Sequence, residues 1–197
     1  HRVDRRQRQM CIRDRSELLS CEALTKCYQK DKTALENVDL HIGFGRIVGL
    51  LGPNGSGKTT LIKLANGLLQ PSAGSIRIAG MTPGPDTKAI VSYLPDADWL
   101  PDWMRVEQLV EMFREFYADF DPAKANEMLA RLELEPKARL KTLSKGSKEK
   151  VQLILAMSRA AKLYLLDEPI GGVDPAARDY ILSTIPVSYT HLTLPTI

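Results

Sequence analysis

The chain has 197 residues, 44% of them hydrophobic and 26% charged, which is one domain's worth of material with enough apolar content for a real core. Its three cysteines make no disulfide framework, and no apolar run is long enough to cross a bilayer. The formal charge of +3 is concentrated at the start: residues 1–15 carry six arginines against two aspartates, and without them and the uncharged 186–197 the net charge is −1. No footprint for a phosphate backbone remains, so nucleic acid is not expected as a partner.

The two ends are related to each other. Met10 to Asp14 (MCIRD) can be encoded by DNA whose reverse complement reads VSYTH, the residues Val187 to His191. The match extends outward, from Asp4 to Gln9 on one side and Leu192 to Ile197 on the other. Unrelated coding segments are not inverted copies, and the pattern is that of a transposon end or adaptor translated at both ends of a gene fragment. Residues 1–15 and 186–197 are therefore expected to be non-native tails outside the fold.

Between the tails, Ala34 to Ile42 alternates with Val38, Leu40 and Ile42 on one face, a half-buried strand that leaves His41 in solvent. Arg46 to Leu51 (RIVGLL) reads as a buried strand. It leads into GPNGSGKTT, in which Gly52, Pro53, Asn54, Gly55, Ser56, Gly57, Lys58, Thr59 and Thr60 have the spacing of a phosphate-binding loop. The glycines let backbone N–H groups curl around a triphosphate, Lys58 supplies a positive charge for the β- and γ-phosphates, and Thr59 supplies a hydroxyl for Mg²⁺. Leu61, Leu64, Ala65 and Leu68 then fall at helical spacing, which would set the phosphates on a helix N-terminus.

Ser75 to Ala79 and Ile90 to Leu94 are two further short strands, separated by a Pro/Gly loop from Gly80 to Asp86. Helical character follows. Val106, Leu109, Val110, Phe113 and Tyr117 share one face, and Asp121 with Pro122 forms an N-cap and N1 pair for a helix carrying Ala125, Met128, Leu129 and Leu132. A basic stretch, Lys137 to Lys150, leads into a helix through Val151, Ile154 and Leu155. Leu163 to Leu166 is an apolar strand that ends in Asp167 and Glu168, and Asp174 with Pro175 opens a last helix. Ligands sit at strand C-termini in parallel sheets, so Asp167 is the natural Mg²⁺ ligand and Glu168 the natural general base.

Taken in order, GPNGSGKTT, LSKGSKEK at Leu143 to Lys150, LYLLDEP at Leu163 to Pro169 and GGVDP at Gly171 to Pro175 resemble the ATP-binding subunits of ABC transporters over nearly all of Leu18 to Ile185. The resemblance implies an α/β P-loop NTPase core, a mixed and mainly parallel sheet with flanking helices, over 16–93 and 161–185. An all-helical signature subdomain over 94–160 would interrupt it. It implies ATP and Mg²⁺ as cofactors and a head-to-tail homodimer or heterodimer with another ATP-binding subunit. Ser144 and Gly146 of one subunit would face the phosphate loop of the other, and Asp174 would cross the interface. A separate transmembrane permease is the further implied partner, with the chain peripheral on the cytoplasmic face of the cell membrane.

Some positions carry over with alternatives open. Tyr28, placed before the first strand, stands where the family puts an aromatic that stacks on adenine, or is an ordinary core or surface tyrosine. Trp99 and Trp103, in Pro95 to Met104, either receive a coupling helix from the membrane partner or pack the helical lobe. Three features depart from the family pattern. Asp96 replaces the usual Gln that reaches Mg²⁺ and the attacking water. Lys145 and Ser147 replace a glycine and a glutamine in the signature stretch. The family's closing strand, which ends in a catalytic histidine, is expected to be missing, with His191 an accidental likeness without a role. This chain is then expected to leave a sheet edge unpaired and to hydrolyse ATP poorly. The competing function is a soluble ABC-type ATPase acting as a regulator or clamp. A nucleotide kinase is disfavoured by the LSKGS stretch.

Overall fold

The computed structural model describes residues 17–29, 32–168, 180 and 188–193. The first strand is β1 (Glu17–Gln29), which pairs antiparallel with β2 (Lys32–Gly43) on one side and with β4 (Ala73–Ile78) on the other. The sequence reading began the sheet at Ala34 and missed β1, so Tyr28 lies at the end of a strand rather than ahead of one. The cause is a bulge. Ala23 has φ 45°, the register shifts between Cys21 and Leu24, and period-two alternation is lost there. Asp39 Oδ1 accepts from the Ala23 N–H at 2.7 Å, and Gly74 passes so close that a Cβ on it would lie 2.2 Å from the Ala23 carbonyl oxygen. Leu19, Cys21, Leu24, Leu35, Ile76 and Ile78 are buried around this sheet. His41 is half exposed as expected, with its Nδ1 3.0 Å from Glu17 Oε2.

β3 (Arg46–Leu51) leads into the glycine-rich loop and α1 (Lys58–Ala65). α1 buries Leu61, Ile62, Leu64 and Ala65 but stops sooner than its periodicity predicts. Gly67 takes φ 70°, its N–H donates to Leu64 O, and the Leu68 N–H donates to Lys63 O, a left-handed termination that turns Leu68 out to 53% exposure. The Pro/Gly loop contains one helical turn, α2 (Pro85–Lys88), steadied by Thr87 Oγ1 on both the N–H and the carbonyl of Gly84.

β5 (Val91–Leu94) pairs parallel with β6 (Leu163–Leu166), Leu94 opposite Leu166. Between them run α3 (Val106–Phe116), α4 (Pro122–Arg131), a 3₁₀ turn at Leu140–Thr142 and α5 (Lys145–Met157). Asp121 caps α4 as its sequence demands, its Oδ1 accepting from the N–H groups of Ala123 and Lys124. The apolar faces read from the sequence meet in one core of Val106, Leu109, Val110, Phe113, Met128, Leu129, Val151, Ile154 and Leu155. Phe113 is its aromatic centre, with ring centroids of Trp99, Tyr117 and Phe120 between 5.4 and 5.8 Å away.

The last described strand, β7 (Ser188–Thr193), pairs parallel with β3 and sets His191 in register with Gly49. Residues 188–193, expected to lie in a tail outside the fold, thus pair along the β3 edge that was expected to stay open. Tyr189, Thr190 and Thr193 have strand propensity whatever their origin, and β3 offers an edge to pair with. The sheets are mixed: β2-β1-β4 antiparallel, β3-β7 and β5-β6 parallel. The described residues form two compact units. One holds everything up to Lys88 together with β7, and the other starts at Ala89 and includes β5, the helices α3–α5 and β6.

Candidate functional site

In the first unit, the loop after β3 is shaped by two left-handed glycines, Gly55 (φ 88°) and Gly57 (φ 87°). A Cβ on Gly57 would lie 2.4 Å from Ala34 O and 2.7 Å from Leu35 Cδ2, so only glycine fits between the loop and β2. Gly57 is also the residue from which α1 begins, which aims the first N–H groups of the helix into the loop. Gly52 is half-buried, Pro53, Asn54, Gly55 and Thr59 are exposed, and Ser56 and Thr60 are buried. The Lys58 ammonium donates to Gly52 O at 2.7 Å and to Pro53 O at 3.0 Å, so it is folded back over its own loop. Ser56 Oγ is buried with no hydrogen-bond partner, an orphan that normally marks a group awaiting a ligand or water.

Tyr28 belongs to the same unit. Its hydroxyl lies 3.2 Å from Thr60 Oγ1, the Lys26 ammonium is 5.6 Å from its ring centroid, and the residue stays 49% exposed. The ring is therefore tethered to the helix that follows the phosphate loop, with area left for a flat ligand.

In the second unit, the parallel register of β5 and β6 brings their C-terminal ends together, and the Asp167 N–H donates to Leu94 O at 2.9 Å. A cavity of about 350 Å³ opens there, lined by Leu94 to Asp98, Lys145, Glu149, Gln152, Asp167 and Glu168. Asp167 is 5% exposed, whereas Asp96 and Glu168 are exposed. Glu168 has φ 49°, a left-handed conformation that a non-glycine residue holds at a cost of about 1–3 kcal/mol. Burial pushes the Tyr93 phenol pKa up, and the carboxylates of Asp167 and Asp96 push it further, which sets the phenol within their field. Among the described residues no three His, Cys, Asp or Glu side chains are grouped to hold a metal ion.

Ser144 is the N-cap of α5: its Oγ accepts from the Ser147 N–H at 3.2 Å and donates to Ser147 Oγ at 3.0 Å. Gly146 lies in the first turn of the same helix, and Lys145 pairs loosely with Glu149 at 3.8 Å. Asp174, with the helix expected after it, lies outside the described residues. Trp99 packs on Phe113 while remaining 40% exposed, and Trp103 is 66% exposed.

The family model described as ABC transporter matches residues 35–171. The chain belongs to the ABC transporter family. An ABC transporter ATP-binding protein of Bacillus subtilis, YtrB, is 36% identical over 150 residues, which is 75% of this chain and 51% of that protein. The ABC family chain thus spans about half the length of that relative. A Pyrococcus furiosus structure described as an ABC transporter ATP-binding protein superposes with a TM-score of 0.76 at 27% identity, over 89% of this chain and 96% of that one. A dimeric post-hydrolysis ATP-binding cassette bound to ADP and Pi superposes at 0.73 over 88% and 87%, and at 22% identity that likeness speaks for the P-loop NTPase fold alone.

Two features of these ABC family residues escaped the sequence reading, a bond in the first unit and a buried glutamine in the second. The bond between Tyr28 and Thr60 joins residues 32 apart and leaves no local trace. Gln152 did leave one: it is a polar residue inside the apolar run Val151 to Met157, it is 4% exposed, and its Nε2 donates to Asp98 Oδ1 at 3.1 Å.

Proposed function

We propose that this chain binds and hydrolyses ATP as the cytoplasmic ATPase subunit of an ABC transporter, driving transport through a separate membrane-spanning permease. The observation that carries the reading is the loop itself: left-handed glycines, a buried unpartnered Ser56 hydroxyl and a lysine whose ammonium rests on two loop carbonyls. Such a lysine exchanges bonds to neutral carbonyls for bonds to charged oxygens when the β- and γ-phosphates enter. Gly52, Pro53, Asn54, Gly55, Ser56, Gly57, Thr59 and Thr60 form the cradle, and Tyr28 offers a ring face to the base.

Glu168 acts as general base toward the attacking water, and Lys58 steadies the charge that develops on the phosphates. Two carboxylates and a hydroxyl, Asp167, Asp96 and Thr59, are hard oxygen donors suited to Mg²⁺, which completes its shell with phosphate oxygens and water rather than with a protein cage. Bound there, the ion would neutralise phosphate charge; holding it would fall to Thr59, Asp167 and Asp96. Ser144, Gly146 and Asp174 belong to the dimer part of the proposal, in which a second ATP-binding subunit, identical or different, meets the nucleotide through them. No described helix is long and apolar enough to cross a membrane; the spanning permease enters as part of this reading. Trp99 and Trp103 are the exposed aromatics that would meet it.

The test is nucleotide affinity. Lys58→Ala removes the ammonium and is expected to weaken binding of a fluorescent ATP analogue by about 10- to 100-fold, the worth of one or two charge-assisted bonds. Unchanged affinity would refute the assignment.

A further inference from the structure

The C-terminal end of α5 is held from several sides. Helix ends leave carbonyls without intrahelical partners, and here four late carbonyls are taken by groups from β5, α4 with its N-cap, and β6. Ala156 O accepts from Ser92 Oγ of β5 at 2.8 Å, and Met157 O from Lys124 Nζ of α4 at 2.7 Å. Ser158 O accepts from the Asp121 N–H at 2.8 Å, and Arg159 O from the Tyr164 hydroxyl of β6 at 2.5 Å. The Arg159 side chain, 4% exposed, extends the connection. Its Nε and Nη2 donate to Asp119 Oδ1 and Oδ2 at 3.0 and 3.1 Å, its Nη1 donates to Val91 O at 2.7 Å, and its Nη2 also reaches Ala89 O at 3.2 Å. The guanidinium lies 4.0 Å from the Tyr117 ring centroid.

We propose that the pair formed by buried Arg159 and half-buried Asp119 is a positioning clamp that fixes β5 against β6 and so sets where Asp96 stands relative to Asp167 and Glu168. Arg159 grips the first residue of β5 through its side chain and a residue of β6 through its carbonyl. β5 ends at Leu94, just ahead of Asp96, and β6 ends at Leu166, directly before Asp167. A slip between two four-residue strands therefore reaches the acids almost undamped. The planar fork of arginine satisfies a carboxylate and two carbonyls at fixed angles, which the point charge of a lysine does not reproduce. The consequence for hydrolysis rests on the ATP reading above; the effect on the strands does not.

Two variants of the full chain, Asp119→Asn and Arg159→Lys, separate this role from mere support of the fold. Hydrogen–deuterium exchange is followed at the Lys162, Leu163 and Asp167 amides, which donate to Ile90 O and Leu94 O, with the Leu61 amide of α1 as control. The expected result is exchange faster by about tenfold at 162–167 and unaltered at Leu61. The Mg²⁺ concentration for half-maximal ATP hydrolysis should rise by about tenfold, as for a lost outer partner of a metal ligand, with the KM for ATP unchanged. Exchange that is unaltered, or that rises equally at Leu61, overturns the clamp. So does a rate that falls only with the folded fraction while the Mg²⁺ midpoint stays in place. Should Arg159→Lys fail to fold, Asp119→Asn, which retains one carbonyl oxygen as acceptor, carries the comparison. Because this chain is expected to hydrolyse ATP poorly, exchange at 162–167 against Leu61 decides the clamp by itself where the wild type shows no measurable hydrolysis.

Discussion

At Gly57 three demands coincide: a left-handed backbone, the start of α1 and an approach to Ala34 O that leaves no room for a Cβ. Gly55 shares the backbone demand but has open space around it. The two glycines therefore separate strain from collision. Gly55→Ala is expected to lower stability by about 1 kcal/mol, from backbone strain alone. Gly57→Ala should cost about 2–4 kcal/mol, because β2 or the loop must also give way. Denaturant midpoints of the two variants check the difference, and equal midpoints would mean that β2 yields without cost. The motif spacing disclosed that glycines belong here. It did not disclose that one of them must also make room for β2, because residues more than twenty positions apart meet only in three dimensions.

Among the elements, those whose amphipathic faces and caps are local were legible. Asp121 and Pro122 start α4, and Val106 to Phe113 bury the face their spacing marks. β1 was not legible, since a bulge at Ala23 broke its alternation, and the end of α1 was overrun because Gly67 stops the helix before Leu68. α5 illustrates both kinds of information. Its N-cap Ser144 can be read from the sequence, whereas its C-terminal end depends on groups from β5, β6 and α4. One group in that region is ill served: Ser158 is 1% exposed and its Oγ has no hydrogen-bond partner. Ser158→Ala removes a buried, unsatisfied hydroxyl at little cost in volume and is expected to raise stability by about 1 kcal/mol. Thermal or denaturant unfolding measures it, and a loss of stability would mean that a water satisfies the hydroxyl.

Taken whole, the molecule divides its site-bearing residues between two compact units: the phosphate loop and Tyr28 in one, Asp96, Asp167, Glu168 and the signature residues in the other. Motif order in the sequence named these residues but placed Asp167 and Glu168 with the phosphate loop in one core, and Asp96 and the signature residues in a separate helical subdomain. Strand pairing joins β5 to β6, and the α5 end and Arg159 attach to both strands. The first unit also contains the chain's clearest titration linkage. Cys21 lies in the middle of β1, where burial and then the Asp39 carboxylate raise its thiol pKa from 9.0 to about 12. The unfolded chain loses that proton first, so it binds fewer protons than the native state between those values, and stability falls as pH rises. The contribution of the neutral thiol is complete below pH 9 and declines toward pH 12 by up to about 1.4 kcal/mol per unit. Unfolding free energies of the wild type and Cys21→Ala, compared from pH 8 upward, should differ by an amount that shrinks along this slope. A constant difference would place the thiol in contact with solvent.

The left-handed backbone at Glu168 has an evolutionary corollary. Glycine or asparagine would sit there more comfortably, so a search for thermal robustness alone would discard the glutamate early. If Glu168 is the general base proposed above, whoever hardens this protein against heat by consensus or by screening melting points should expect that gain to arrive with lost hydrolysis, and should hold this one position fixed.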